Sequence, residues 1–495
     1  MASKEGRRRL AWMLRANRKL ASSENCRSAR QFTNQLRKLR PTLAPSQVTR
    51  WETGKTSAGA ATVRHYEQIL GLPDDSLVSA YEAVGRFWNC SDAIAPATAT
   101  ESSKDLHELI EKSHTSGAMT GREWRRLSRM IQARPGLVLH PPRLWTTIMH
   151  NLLNELATAE DRAWLVRQEA ISRLAEHPVA ASFAVRACID IADDPATPVC
   201  IEPISLLDAS RLPEATTYLV DLIRAAPDRR PLTGALLAIT AKARRGHFTL
   251  KTHGALADAL RDLTSTAVHH RALNALVDDT RLILGPKPYS PYDATIVTAC
   301  RTLGLATQRR VDAHLDTEDT VLNDILQDAL FSANPDRRLY AAFLLAATPY
   351  RTALAHALVD VHLGVSLGRD LPFEHGLQLL AKLRVPDHRA LARRLLLSRA
   401  QPHQVRHAAA WACVHSQGRL DDMTWRRILA VQFELASVRP GALDTDILLG
   451  LVYSIGTDSH VPLLRELRDD RRLPPRSRHL ANWWIDRIHA TRSGS

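Results

Sequence analysis

The sequence predicts an all-α fold, with a small basic bundle at the N-terminus and a long α-solenoid body behind it. Period-2 runs of Val, Ile, Thr and aromatics are nearly absent, and Asn-Gly and Asp-Gly hairpin signals are missing. Apolar residues recur instead at i, i+3, i+4 and i+7, broken by Pro and Gly. Charge is also segregated. The 495-residue chain carries +14, residues 1–64 hold 15 Lys and Arg against 3 acidic residues, and the remainder is near neutral at 51 against 49. A basic segment on a near-neutral body is the electrostatic footprint of a nucleic-acid binder, the plain alternative being a solvated basic arm.

In the bundle, ARQFTNQLRKL (Ala29 to Leu39) is amphipathic, with Phe32, Leu36 and Leu39 on one face. A short connection, RPTLA, leads to PSQVTRWETGK (Pro45 to Lys55). With Pro45 in the first helical turn, Val48 and Trp51 are i and i+3 and bury one face, while Ser46, Gln47 and Arg50 point outward. Gly54 suits the stop because it tolerates positive φ. ATVRHYEQILGL closes the bundle through Val63, Tyr66, Ile69 and Leu70, and LPDDSLVSAYEAVGRF adds a further helix.

Residues 1–90 are therefore expected to form one domain, 91–104 (SDAIAPATATESSK) a linker, and 105–495 the helical body. The body shows a loose repeat in which a proline opens a helix, a basic residue follows, and an Ala-rich face comes next. It occurs at Pro227, Pro335, Pro402 and Pro475, with GPKPYSPY (285–292) expected to divide the stack into two parts.

The run S-Q-V-T-R-W-E-T-G-K, followed by a helix ending Leu-Gly, resembles the Xre/Cro-type helix-turn-helix family over about residues 7–90. Two departures are the RPTLA connection in place of a compact Gly turn and the SSENCRSAR insertion after the first helix. The resemblance implies that Pro45, Ser46, Gln47 and Arg50 face the major groove, where Arg50 suits guanine O6/N7 and Gln47 suits adenine. It places Lys38, Arg40, Thr49, Thr53 and Lys55 near phosphates, and gives Glu52 a structural ion pair or cap. In the body, QVRHAAAWACVHSQG and EDRAWLVRQEAISRLAEHP resemble the second helix of HEAT-type repeats.

Little points to other chemistry. GxxxxGK[ST], strand-flanked GxGxxG and GxSxG are absent, so no cofactor is expected and the chain does not read as an enzyme. His403 and His407 are i and i+4, with Cys413 and His415 nearby, but HExxH is missing and no metal site is assigned. His269 and His270 face different directions, Asp193-Asp194 and Asp469-Asp470 read as loop or cap acids, and Trp483-Trp484 reads as core. Six scattered cysteines without CxxC fit a reducing compartment. There is no apolar run of about 18 residues and no apolar stretch behind MASKEGRRRL, so the expectation is a cytoplasmic, nucleoid-associated protein without a membrane segment. Abundant Arg, Ala and Leu suggest a GC-rich bacterial genome.

The leading expectation is a sequence-specific transcriptional regulator that binds double-stranded DNA as a homodimer on an inverted repeat, with a protein partner on the helical-repeat surface. A DNA-anchored scaffold and a HEAT-like DNA-processing enzyme are the alternatives, and the near-neutral body argues against the enzyme.

Overall fold

The computed structural model describes residues 2–90, 102–115, 117–195, 197–225, 228–266, 271–284, 292–311, 318–360, 373–385, 388–415, 418–438 and 445–493. The expected linker at 91–101, most of 285–292, Pro227, and His269-His270 lie outside these residues. The described residues are helical throughout, with no strand among them.

Two compact units emerge. One holds the described residues up to Leu284 together with Ala333–Asp336, and the other holds Tyr292–Ser332 and Arg337–Ser493. In the first unit the helices are α1 (Ala2–Lys19), α2 (Glu24–Arg27), α3 (Ala29–Leu39), α4 (Gln47–Glu52), α5 (Ala60–Ile69) and α6 (Val78–Phe87). They continue with α7 (Ser103–Ser113), α8 (Gly121–Gln132), α9 (Arg143–Thr158), α10 (Asp161–Glu176), α11 (Ala181–Asp193) and α12 (Ile201–Leu206). The unit ends with α13 (Pro213–Ala225), α14 (Arg229–Arg244), α15 (Leu250–Thr266) and α16 (Arg271–Leu284).

From α8 onward these helices stack in two rows: α8, α10, α12, α14 and α16 follow one another, while α9 packs on α11 and α13 on α15. That alternation is the packing of an α-solenoid. A continuous apolar core runs through it, from Trp124 and Trp145 to Leu236, Leu260 and Val277. Local chemistry sets the ends. Thr120 and Glu123 form a reciprocal capping box at the start of α8. The fully buried Lys242 donates to the carbonyls of Leu207 and Ser210 just past α12, and burial lowers its pKa to about 8.

The second unit contains α17 (Ala294–Val311), α18 (Thr320–Phe331), α19 (Pro335–Ala346) from Arg337 onward, α20 (Tyr350–Leu358), α21 (Phe373–Leu383) and α22 (His388–Leu397). It closes with α23 (His403–His415), α24 (Asp422–Val438), α25 (Thr445–Thr457), α26 (Val461–Asp469) and α27 (Pro475–Ser493). Here α21, α23, α25 and α27 form one row and α22 packs on α24. The proline signal is realised: α19 and α27 begin on Pro335 and Pro475, and α23 begins just after Pro402. Trp483 and Trp484 are buried in α27, and Gly456 of α25 lets Trp484 approach to where a Cβ would collide with its ring. Asp458 anchors this end. It accepts from Arg389 Nη2 at 2.7 Å, Trp425 Nε1 at 3.1 Å and the Leu420 N–H at 3.0 Å.

Candidate nucleic-acid interface

The six residues of α4 divide as their spacing demands. Val48, Trp51 and Glu52 are buried, whereas Thr49 and Arg50 are exposed. Helix α4 rests on α1 and α3. Pro45 does not enter its first turn. The helix starts at Gln47 with Ser46 at the N-cap, because the chain turns through Pro45 and Ser46 before the first helical hydrogen bond. Gly54 has φ +71° and sits against the Arg7 carbonyl, so it both reverses the chain and admits α1 closely.

Glu52 holds α4 in place. Its carboxylate accepts from Arg18 Nε and Nη2, each at 2.7 Å, and from the Tyr66 hydroxyl at 3.2 Å. Arg18 also donates to the Arg27 carbonyl, tying α1, α2, α4 and α5 together. Burial, then the Glu52 carboxylate, holds the Tyr66 phenol well above its ordinary pKa. Beneath these groups the Tyr66 ring packs on Phe32 with centroids 4.6 Å apart.

Pro45, Ser46, Arg50, Lys38, Arg40, Thr49, Thr53 and Lys55 are exposed, and Gln47 is half-buried. Three of these carry contacts that shape what they offer. Gln47 Nε2 donates to Thr56 Oγ1 at 3.2 Å, which leaves its second N–H and its carbonyl oxygen for other partners. Arg40 donates to Thr62 Oγ1 at 3.3 Å, which pins the connection to α5. The Thr53 hydroxyl donates back to the Thr49 carbonyl at 2.7 Å, so its proton is engaged within the helix. Sequence reasoning missed Thr56 and Arg18. A contact across a loop and a partner 34 residues away leave no periodic signal.

Behind this face, every residue of α6 is buried. Glu67 caps it, accepting from the Leu77 N–H at 2.6 Å and the Val78 N–H at 2.9 Å. Its Glu82 meets Arg125 at 3.0 Å, Arg129 at 3.0 Å and Arg173 at 2.8 Å. Its Arg86 meets Glu169 through two contacts of 2.8 Å and also pairs with Glu176. These arginines overcome the burial penalty and lower the Glu82 pKa to about 2. The bundle is thus joined to α8 and α10 by a buried ionic network.

Other marked residues have structural surroundings. His407 Nδ1 lies 3.7 Å from Glu374, and among the described residues no group of three His, Cys, Asp or Glu could hold a metal. Asp193 accepts from Tyr218 at 2.6 Å, while Asp469 and Asp470 pair with Arg468 and Arg472. No described helix is long and apolar enough to cross a membrane. No family model, curated protein or solved structure matches this chain.

Proposed function

We propose that the chain is a sequence-specific DNA-binding regulator whose helix α4 enters the major groove, as the resemblance to Xre/Cro-type proteins implies. The observation that carries this reading is the exposed Arg50 side of a helix whose opposite side is fixed by Val48, Trp51 and Glu52, within a segment holding 15 basic and 3 acidic residues. Arg50 reads guanine through its fork, Gln47 reads adenine through its amide with Ser46 beside it, and Lys38, Arg40, Thr49 and Lys55 contact phosphates. The helical body supplies dimerisation or a partner surface, so that two copies of α4 read an inverted repeat. Genome-wide occupancy of wild type and Arg50→Ala tests the reading. Discrete peaks sharing a palindromic element, lost in the variant, support it. Diffuse occupancy unchanged by the variant means charge-driven association, and the helical body then carries the function.

A further inference from the structure

The second unit holds a groove of about 870 Å³ between the end of α20, helix α22 and the start of α24. Its volume falls in the range of small-molecule sites, roughly 300–1,000 Å³. Arg393 and Arg394 come from α22 and Arg427 from α24, all exposed. Ser398 and Thr424 also line it, and Leu391, Leu397 and Val359 supply apolar surface.

Several arginines of the unit are ion-paired: Arg426 with Glu466 at 2.6 Å, Arg468 with Asp469 at 2.8 Å, Arg472 with Asp470 at 2.7 Å, and Arg399 with Glu434. Among the described residues Arg394 and Arg427 make no ion pair or hydrogen bond, and Arg393 feels the Asp421 carboxylate, whose oxygens accept from Thr424. Among the described lining residues the one carboxylate, Asp360, pairs with Arg310 at 2.7 Å. Three arginines lining one groove, two of them without an ion pair among the described residues, favour a phosphate, which guanidinium forks bind bidentately. The apolar part of the lining favours a ligand with a planar or apolar body attached, and the volume favours a small molecule over a polypeptide.

We propose that this groove binds a phosphorylated small molecule of nucleotide size. The site is independent of the DNA-binding surface and stands whether or not that reading holds. The test titrates the full chain with mant-ATP, following fluorescence anisotropy, with inorganic pyrophosphate as competitor and fluorescein-labelled hexaglutamate as a parallel probe. The expected result is saturable mant-ATP binding that weakens with salt, is displaced by pyrophosphate, and falls at least about tenfold in Arg394→Gln/Arg427→Gln. Arg468→Gln, whose arginine lies outside the groove, keeps wild-type binding. These exposed positions carry little folding energy, and circular dichroism of both variants verifies the fold. Absence of saturable mant-ATP binding up to about 1 mM, equal binding by the double variant, or tighter binding of hexaglutamate each overturns the proposal, the last in favour of an acidic protein segment.

Discussion

Arg50 and Glu52 stand two residues apart on α4, one exposed and one buried, and their substitutions separate function from stability. Arg50→Ala removes a solvated side chain, so its thermal midpoint stays at the wild-type value. Under the proposed DNA-binding reading, specific DNA affinity, read by fluorescence anisotropy on an operator found by genome-wide occupancy, falls by the about 1–3 kcal/mol of a bidentate base contact, roughly 5- to 150-fold. Glu52→Ala leaves Arg18 buried without its partner and costs about 3–5 kcal/mol in urea unfolding. Replacing both ends, Arg18→Met with Glu52→Leu, recovers much of that loss, because no charge is then stranded. The outward position of Arg50 was legible from the i, i+3 spacing of Val48 and Trp51, while the structural role of Glu52 was an implication of the family resemblance. The identity of Arg18 as the Glu52 partner was not legible, since any of the many arginines in the segment fitted the pattern.

Among the elements, α6 shows where a periodic reading runs out. LPDDSLVSAYEAVGRF reads simply as a further helix, and nothing in its spacing marks Glu82 and Arg86 as buried, yet all of α6 is buried because α8 and α10 cover it with opposite charges. The partners lie more than 40 residues away in sequence, and their Glu and Arg are indistinguishable from surface charges until the helices dock. The network has an acid signature. The Glu82 pKa in the folded chain, about 2, lies below its ordinary 4.5. Between these values the unfolded chain binds more protons, so the stabilisation is complete above about 4.5 and is lost as pH falls toward about 2. Burial opposes ionisation at Glu169 too, but Arg86 and Arg173 prevail and its pKa is also lowered, adding a slope of the same sign. Urea unfolding between pH 6 and pH 3 therefore shows stability falling with acid, and Glu82→Gln is less stable at neutral pH with a shallower fall. An unchanged slope in the variant would remove Glu82 from the acid response.

At the scale of the molecule, the composition shift at 91–104 reads as a boundary, and the stacked two-row body was legible from prolines and Ala-rich faces. Contact of the bundle with α8 and α10 was not legible, because docking is a property of surfaces and the sequence displays only their parts. This contact decides how the chain can be divided. A fragment ending at Asn89 strips Glu82 of Arg125, Arg129 and Arg173, and strips Arg86 of Glu169 and Glu176. It also removes Arg244, whose guanidinium lies 5.0 Å from the Phe87 ring centroid. The exposed remainder of α6 still packs on α1 and α5, so the fragment keeps helix but loses the elements that bury its outer side. The expected outcome is a lower thermal midpoint and a broader transition for residues 1–89 than for residues 1–284, which retain α8, α10 and α14. If both fragments unfold at the same midpoint, the ionic network contributes nothing to the bundle's stability. Under the proposed DNA-binding reading, the longer fragment also presents α4 as the full chain does, so a loss of operator affinity confined to the shorter one traces to folding and not to a missing DNA contact.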